Sequence, residues 1–398
     1  MGRKWHASTA LLLGFALVAG ACGSDAEEAA TTAAPAATTV APAATATTAA
    51  PAATATTAAP AAQTGASEAQ NIVEKYSTRP EAVGLIDVPI DGEIPSGKKI
   101  SYVSCGPEAC EQLGNLVSEA GEILGWTTTV IPTSGAPGDV NEVFESLVRN
   151  PPDGLVYSSI PNSQVGRYLE ELSAAGTLIA NISMWEPMAE EVIWSVFGPD
   201  DMVPMGEGMA AWVVDDAAKK GDATPGVVYV DLPEIPIVTP MAERFAETFA
   251  RLCPGCAYEN LGIGIADIPN IPDRVVSILR AKPDIGYVVM SADSLGQGIP
   301  AAAEAAGLEI TMFGNAPGLL NLALIAEGAQ AGTMLFPFYE TTFGAVDAFA
   351  RMWAGQEVLP ALPTPHWLIT TESLPNATAY VPITRGLVEH YTELWSKG

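Results

Sequence analysis

Residues 285–315, IGYVVMSADSLGQGIPAAAEAAGLEITMFGN, constrain the fold more than any other stretch of this 398-residue chain. A continuous apolar run at 285–290 stops at Ser291-Ala292-Asp293-Ser294. An alanine-rich helical stretch follows and is closed by Gly307. A second apolar run at 310–313 then stops at Gly314-Asn315. Short apolar runs separated by a helical segment read as a β-α-β unit with two parallel strands. Each strand carries a polar residue just beyond its carboxyl end, where ligands sit in parallel α/β sheets.

The same alternation runs from residue 98 onward. Strands are expected at 99–104, 126–131, 155–158, 178–183 and 192–197, with helices at 111–124, 139–149 and 163–175 between them. A long helix at 201–219 ends this series, and glycine-flanked residues 221–226 start a second one. Its strands are expected at 227–230, 258–263, 285–290, 310–313, 333–338 and 367–371, with helices at 239–251, 273–280 and 342–353. Such alternation specifies α/β lobes with doubly wound parallel sheets. Roughly 300 residues of this pattern exceed one comfortable core, so two lobes joined by a multi-strand hinge are expected. The expected division is 98–199 with 336–360 for the first lobe, and 200–335 with 361–398 for the second.

What precedes residue 98 is of another kind. Arg3 and Lys4 ahead of an apolar stretch at 11–18 read as an export signal, too short to span a bilayer. Ala19-Gly20-Ala21 before Cys22 resembles a bacterial lipobox, with alanine at Ala19 where that pattern prefers leucine. The resemblance implies a signal at 1–21 and an acylated Cys22 that anchors the chain at the outer face of the cell membrane. Residues 22–66 are almost entirely Ala, Thr and Pro with a repeated PAATATTAA, a composition that buries no core and is expected to form a disordered tether. Residues 67–97 are expected to form a helix capped by Ser67 and then an extended, proline-punctuated segment draped over the first lobe.

The charge balance, 46 acidic against 18 basic residues, disfavours nucleic acid and strongly anionic ligands. Beyond Cys22 four cysteines remain. In an exported chain an even number suggests disulfides, and of three connectivities the short spacings favour Cys105–Cys110 and Cys253–Cys256. Neither metal ligation nor a cofactor is expected, since no histidine accompanies the cysteines. His6 lies in the signal, and His366 and His390 stand apart from any nucleophile. Gly206-Glu207-Gly208-Met209-Ala210-Ala211 fits G-x-G-x-x-A, but within a helical stretch rather than a strand-to-helix turn. Cys253-Pro254-Gly255-Cys256 follows a helix instead of opening one, which suits a structural clip better than a redox motif. The sequons at Asn181 and Asn376 carry no functional weight.

The remaining chemistry lies at strand ends. In the first lobe the candidate contacts are Ser104, Glu108, Ser158, Ser159, Met184 and Trp185. The second lobe offers Asp231, Glu234, Ile265, Asp293 and Asn315, and the crossing near 336–339 adds Phe336 and Tyr339. Each could be a turn serving its own backbone; several converging from two lobes suggest a shared cleft. Signal, lipobox, tether and two such lobes together resemble the solute-binding lipoproteins of ABC importers, in the ribose-binding-like, type 1 group of periplasmic binding proteins. The similarity spans 98–371 and is most specific at 285–315 and in GTMLFPFYETTFGAVDAFARMWAGQ, 332–356. It implies that Asp293 matches the family's strand-end aspartate and that Asn315 stands where sugar binders usually carry Asp. Phe336-Pro337-Phe338-Tyr339 occupies the region where Gln is common. No arginine sits at any strand end, so the ligand is expected to be a sugar or a less polar organic solute. The resemblance further implies a permease partner and a monomer. A ligand-sensing role of the same fold is the alternative, and a hydrolase using Asp and Glu the weakest one.

Overall fold

The computed structural model describes residues 59–81, 86–373 and 379–396, all within one folded unit, Thr56–Gly398. The expected signal, Cys22, the tether up to residue 58 and the Asn376 sequon lie outside the described residues. Helix α1 (Ala59–Ser77) begins eight residues ahead of the expected Ser67, in an alanine-rich run of high helix propensity. The first series then reads β1 (Lys99–Val103), α2 (Glu108–Ile123), β2 (Thr127–Ile131), α3 (Pro137–Arg149), β3 (Gly154–Ser158), α4 (Asn162–Ala174), β4 (Leu178–Ile182) and β5 (Val192–Val196). After α5 (Pro199–Lys219) the second series reads β6 (Gly226–Asp231), α6 (Thr239–Leu252), β7 (Tyr258–Gly262), α7 (Ile271–Ala281), β8 (Ile285–Met290), α8 (Ile299–Ala305) and β9 (Thr311–Asn315). It closes with α9 (Leu319–Glu327), β10 (Gly332–Leu335), α10 (Phe338–Trp353), β11 (Trp367–Thr370) and α11 (Leu387–Trp395).

The strands form two sheets, in the orders β2-β1-β3-β4-β5 and β11-β10-β9-β8-β6-β7. The first is wholly parallel. The second is parallel except at its edge, where β11 pairs antiparallel with β10. The cause is the route of the chain, which returns from the first lobe and enters β11 from the hinge side without a crossover helix.

Period-two alternation places apolar residues on both faces of each sheet. Leu155 and Tyr157 of β3 face the cluster built with α3 and α4, while Val156 faces the opposite core. Val228 and Val230 of β6 likewise join the α7 and α8 side, while Val227 and Tyr229 join the other.

The lobes are linked by three crossings: 197–198, 336–337 and 354–366. Helix α10 crosses over to pack on α2, β4 and β5, while α5 packs on α6, β9 and β10. Two flanking segments also span the lobes. Helix α1 lies on α5, α6 and β11 of the second lobe. Residues 86–97 lie on the first, where the Trp126 indole donates to the Pro95 carbonyl at 2.7 Å and Arg351 donates to the Val88 carbonyl at 2.6 Å. Helix α11, expected with the second lobe, packs instead on α10. Just after α1, the Arg79 guanidinium donates to the Pro382 and Ile383 carbonyls, in the stretch before α11, at 2.7 and 3.1 Å.

Candidate functional site

Where a strand's two neighbours are reached in opposite directions, the loops beyond its carboxyl end part and leave a crevice. The first sheet has this switch point between β1 and β3, and the second between β6 and β8. A cavity of about 380 Å³ lies between these ends. The first lobe lines it with the 105–110 loop, Leu113, Ser134, Ser159 and Ser183. The second contributes the loops after β6, β7, β8 and β9, and the crossing contributes Phe336 and Phe338. The G-x-G-x-x-A match lies inside α5, away from any phosphate-binding turn.

Backbone conformation marks the same ends. Among the described residues, the non-glycine positions with left-handed φ are Ser159 (48°), Ser183 (60°), Phe197 (67°) and Ala316 (53°). Each directly follows the last residue of a parallel strand, after β3, β4, β5 and β9 respectively. Such conformations cost about 1–3 kcal/mol apiece and persist where the surroundings enforce them, often at ligand sites. Ser159, Ser183 and Ala316 line the cavity, and Phe197 packs on Phe336 with ring centroids 4.4 Å apart.

Of the residues predicted from sequence, Glu108, Ser159, Ile265, Asn315 and Phe336 come together in the lining. The others are placed outside it for identifiable reasons. Ser104 is buried, its carbonyl accepting from the Thr133 hydroxyl at 2.6 Å. The Ser158 hydroxyl is held under the sheet by the Tyr102 hydroxyl at 2.6 Å. Met184 belongs to the apolar cluster on the α3 and α4 face, and Trp185 packs against the main core. Asp231 accepts from the Leu232 amide at 2.9 Å, and burial raises its pKa. Glu234 accepts from the Ile265 amide at 2.9 Å and so fixes the turn that carries Ile265. Tyr339 turns onto Phe343 of its own helix, with centroids 5.8 Å apart.

Asp293, the residue matched to the family's strand-end aspartate, is fully buried behind the lining residues Ala292 and Ser294. Burial pushes its carboxyl up to about 7, against the opposing pull of Thr333, Gln330 and the Asn315 backbone. Burial prevails because neither carboxyl oxygen has a well-formed hydrogen bond. Gly314 makes the room: a Cβ there would lie 2.0 Å from Asp293 Oδ1.

Several lining residues escaped the sequence reading. Ile235, Ile237 and Val238 follow β6 around a 3-10 turn (Pro236–Val238), and an apolar run in a loop was the signal available for them. Phe338, expected in a strand at 333–338, instead opens α10 behind its N-cap Pro337, β10 having ended at Leu335. Gln297, Leu295 and Met202 carried no usable signal. The resulting wall is apolar with a scatter of serines. Among the described lining residues Glu108 is the one charged side chain, and none is Lys, Arg or His.

Glu108 opens α2 at the mouth of the cleft, where the helix N-terminus favours a carboxylate. Tyr380 stands edge-on to Phe338 with centroids 5.3 Å apart. Burial, and next the Glu108 carboxylate, push the Tyr380 hydroxyl up to about 12. At the opposite wall the Asn315 amide donates to the Ser291 carbonyl at 3.2 Å, which leaves its Oδ1 as an acceptor without a partner.

A family model described as "Periplasmic binding protein domain" matches residues 90–357. The chain belongs to this family, in its type 1 form. No curated protein sequence matches it. Solved structures similar to this periplasmic binding protein include an ABC transporter solute-binding protein from Agrobacterium vitis with bound allitol. It shares 19% identity over 71% of this chain and 98% of that one, with a TM-score of 0.57. A periplasmic ribose ABC transporter structure from Conexibacter woesei aligns at 19% identity, 73% and 97% coverage and a TM-score of 0.59. The 5-methylthioribose transporter solute-binding protein from Thermotoga lettingae, in complex with 5-methylthioribose, aligns at 15% identity, 77% and 99% coverage and a TM-score of 0.60. At these identities the likeness speaks for the fold.

Proposed function

We propose that this periplasmic binding protein is an exported lipoprotein that captures one small organic solute between its lobes and hands it to an ABC importer, without turnover. The observation that carries the reading is the cavity of about 380 Å³, enclosed by strand ends of both lobes and by the crossing. Its volume falls in the range of small-molecule sites, about 300–1,000 Å³, and its wall is mostly apolar with a few polar groups. Contacts from both lobes let a ligand stabilise the closed arrangement through hinge rotation. Fold relatives described with allitol and 5-methylthioribose support a small solute as the class. The apolar wall favours a solute less polar than a free sugar.

Arg3, Lys4 and Cys22 support export and lipid anchoring, and the Ala/Thr/Pro segment supports a tether that lets a monomer reach a permease. No helix among the described residues is long and apolar enough to cross a membrane. The Cα atoms of Cys105 and Cys110 are 5.6 Å apart and those of Cys253 and Cys256 5.5 Å, both within disulfide range. The first pair braces the loop at the cleft.

Small-angle scattering and thermal melts with a solute panel test the reading. A binding solute should raise the melting temperature and reduce the radius of gyration together. Stabilisation without compaction would argue against closure over the ligand.

A further inference from the structure

We propose that the solute bears a protonated amine or quaternary ammonium head on an apolar body, with the head between Glu108 and the rings of Phe336 and Phe338. The proposal rests on the solute-binding reading of the same cavity and names the ligand class within it.

Charge is the first argument. Glu108 is the one charged group in the described lining, and it makes no ion pair with any described residue. The chain as a whole carries −28. A cleft whose charges share one sign concentrates ligands of the other and repels its own. The described lining holds no Lys, Arg or His to pair with a phosphate or carboxylate, which disfavours anions.

Geometry supplies the second argument. Phe336 and Phe338 line the cavity with ring centroids 4.9 Å apart, and Tyr380 stands against Phe338 at 5.3 Å. Two aromatic rings and one carboxylate lining the same cavity supply the groups that recognise ammonium through cation–π and charge attraction. Leu113, Ile237, Val238 and Leu295 supply the wall for the apolar body.

Isothermal titration calorimetry of the full chain with phenylpropylamine, phenylpropanol, phenylpropanoate and ribose tests the proposal. The amine should bind roughly fivefold or more tighter than the alcohol, in the range of a partly exposed ion pair, and the carboxylate should not bind detectably. Glu108→Gln, a change at an exposed position, should bring the amine down to the alcohol's level. Added salt should narrow the preference. The assignment is overturned if the alcohol or carboxylate equals the amine, or if Glu108→Gln leaves the amine's affinity intact. Binding of ribose without the amine also overturns it while solute binding stands. Silence from all four compounds, with no small molecule copurifying, sinks both readings.

Discussion

Glu108 and Gly318 meet across the cleft, so close that a Cβ on Gly318 would lie 2.7 Å from Glu108 Oε1. Gly318, just before α9, has φ −78°, so its backbone does not require glycine; the carboxylate of the opposite lobe does. Gly318→Ala should therefore displace the flexible end of Glu108 rather than distort the loop. Stability should change by no more than about 0.5 kcal/mol, as for ordinary surface changes. Affinity for the amine probe should fall severalfold. Melting curves alongside calorimetry separate the two effects.

A buried ion pair holds the first lobe to its flanking segments. Arg351 donates to Asp347 at 2.6 Å, both 1% exposed, while Asp347 also accepts from the Trp395 indole at 2.9 Å. Arg351→Met strands a buried carboxylate and the Val88 carbonyl, and should cost about 3–5 kcal/mol. Pairing it with Asp347→Leu should recover part of that loss. Urea unfolding of the single and double variants reads both.

Asp293 makes stability depend on pH. Its folded pKa of about 7 exceeds that of an unfolded aspartate, so the folded state holds a proton the unfolded state has released. Stability from this group is full below about pH 4 and is lost as pH rises towards 7, by up to about 1.4 kcal/mol per unit. Asp293→Asn should flatten that part of the profile in melts between pH 4 and 8. An unchanged slope would show that Asp293 ionises freely in the folded protein.

Arg79 ties the segment after α1 to the stretch before α11, and its guanidinium also lies 4.8 Å from the Trp367 ring centroid. Arg79→Ala should cost about 1–3 kcal/mol, since two carbonyls lose a charged donor. Hydrogen exchange should quicken at 379–384 and in the last turn of α1, while β1 and β3 stay protected.

The sequence disclosed the strands well because buried parallel strands are short apolar runs, as at Ile285–Met290 and Gly226–Asp231. It disclosed α9 poorly, because Leu319–Glu327 is apolar nearly all round and offers no helical stripe. For the site, it located strand ends but not side-chain directions. Ser159 and Ser183 reach the cavity through left-handed backbone that composition does not announce. Asp293 turns away because Gly314 leaves a pocket behind the wall, a relation between two strands that neither segment states alone. Phe338 depended on where β10 stops, at Leu335, and α10 begins behind Pro337.

Native mass spectrometry of the gently purified full chain, beside Ser294→Trp, tests the central claim most directly. Ser294 is a half-buried lining residue, so an indole there should fill the cleft without removing core. The account predicts one small-molecule adduct per wild-type chain and none on the variant, with matching circular dichroism. An adduct held equally by Ser294→Trp, or a wild-type chain that carries none and gains none from a solute panel, would contradict it.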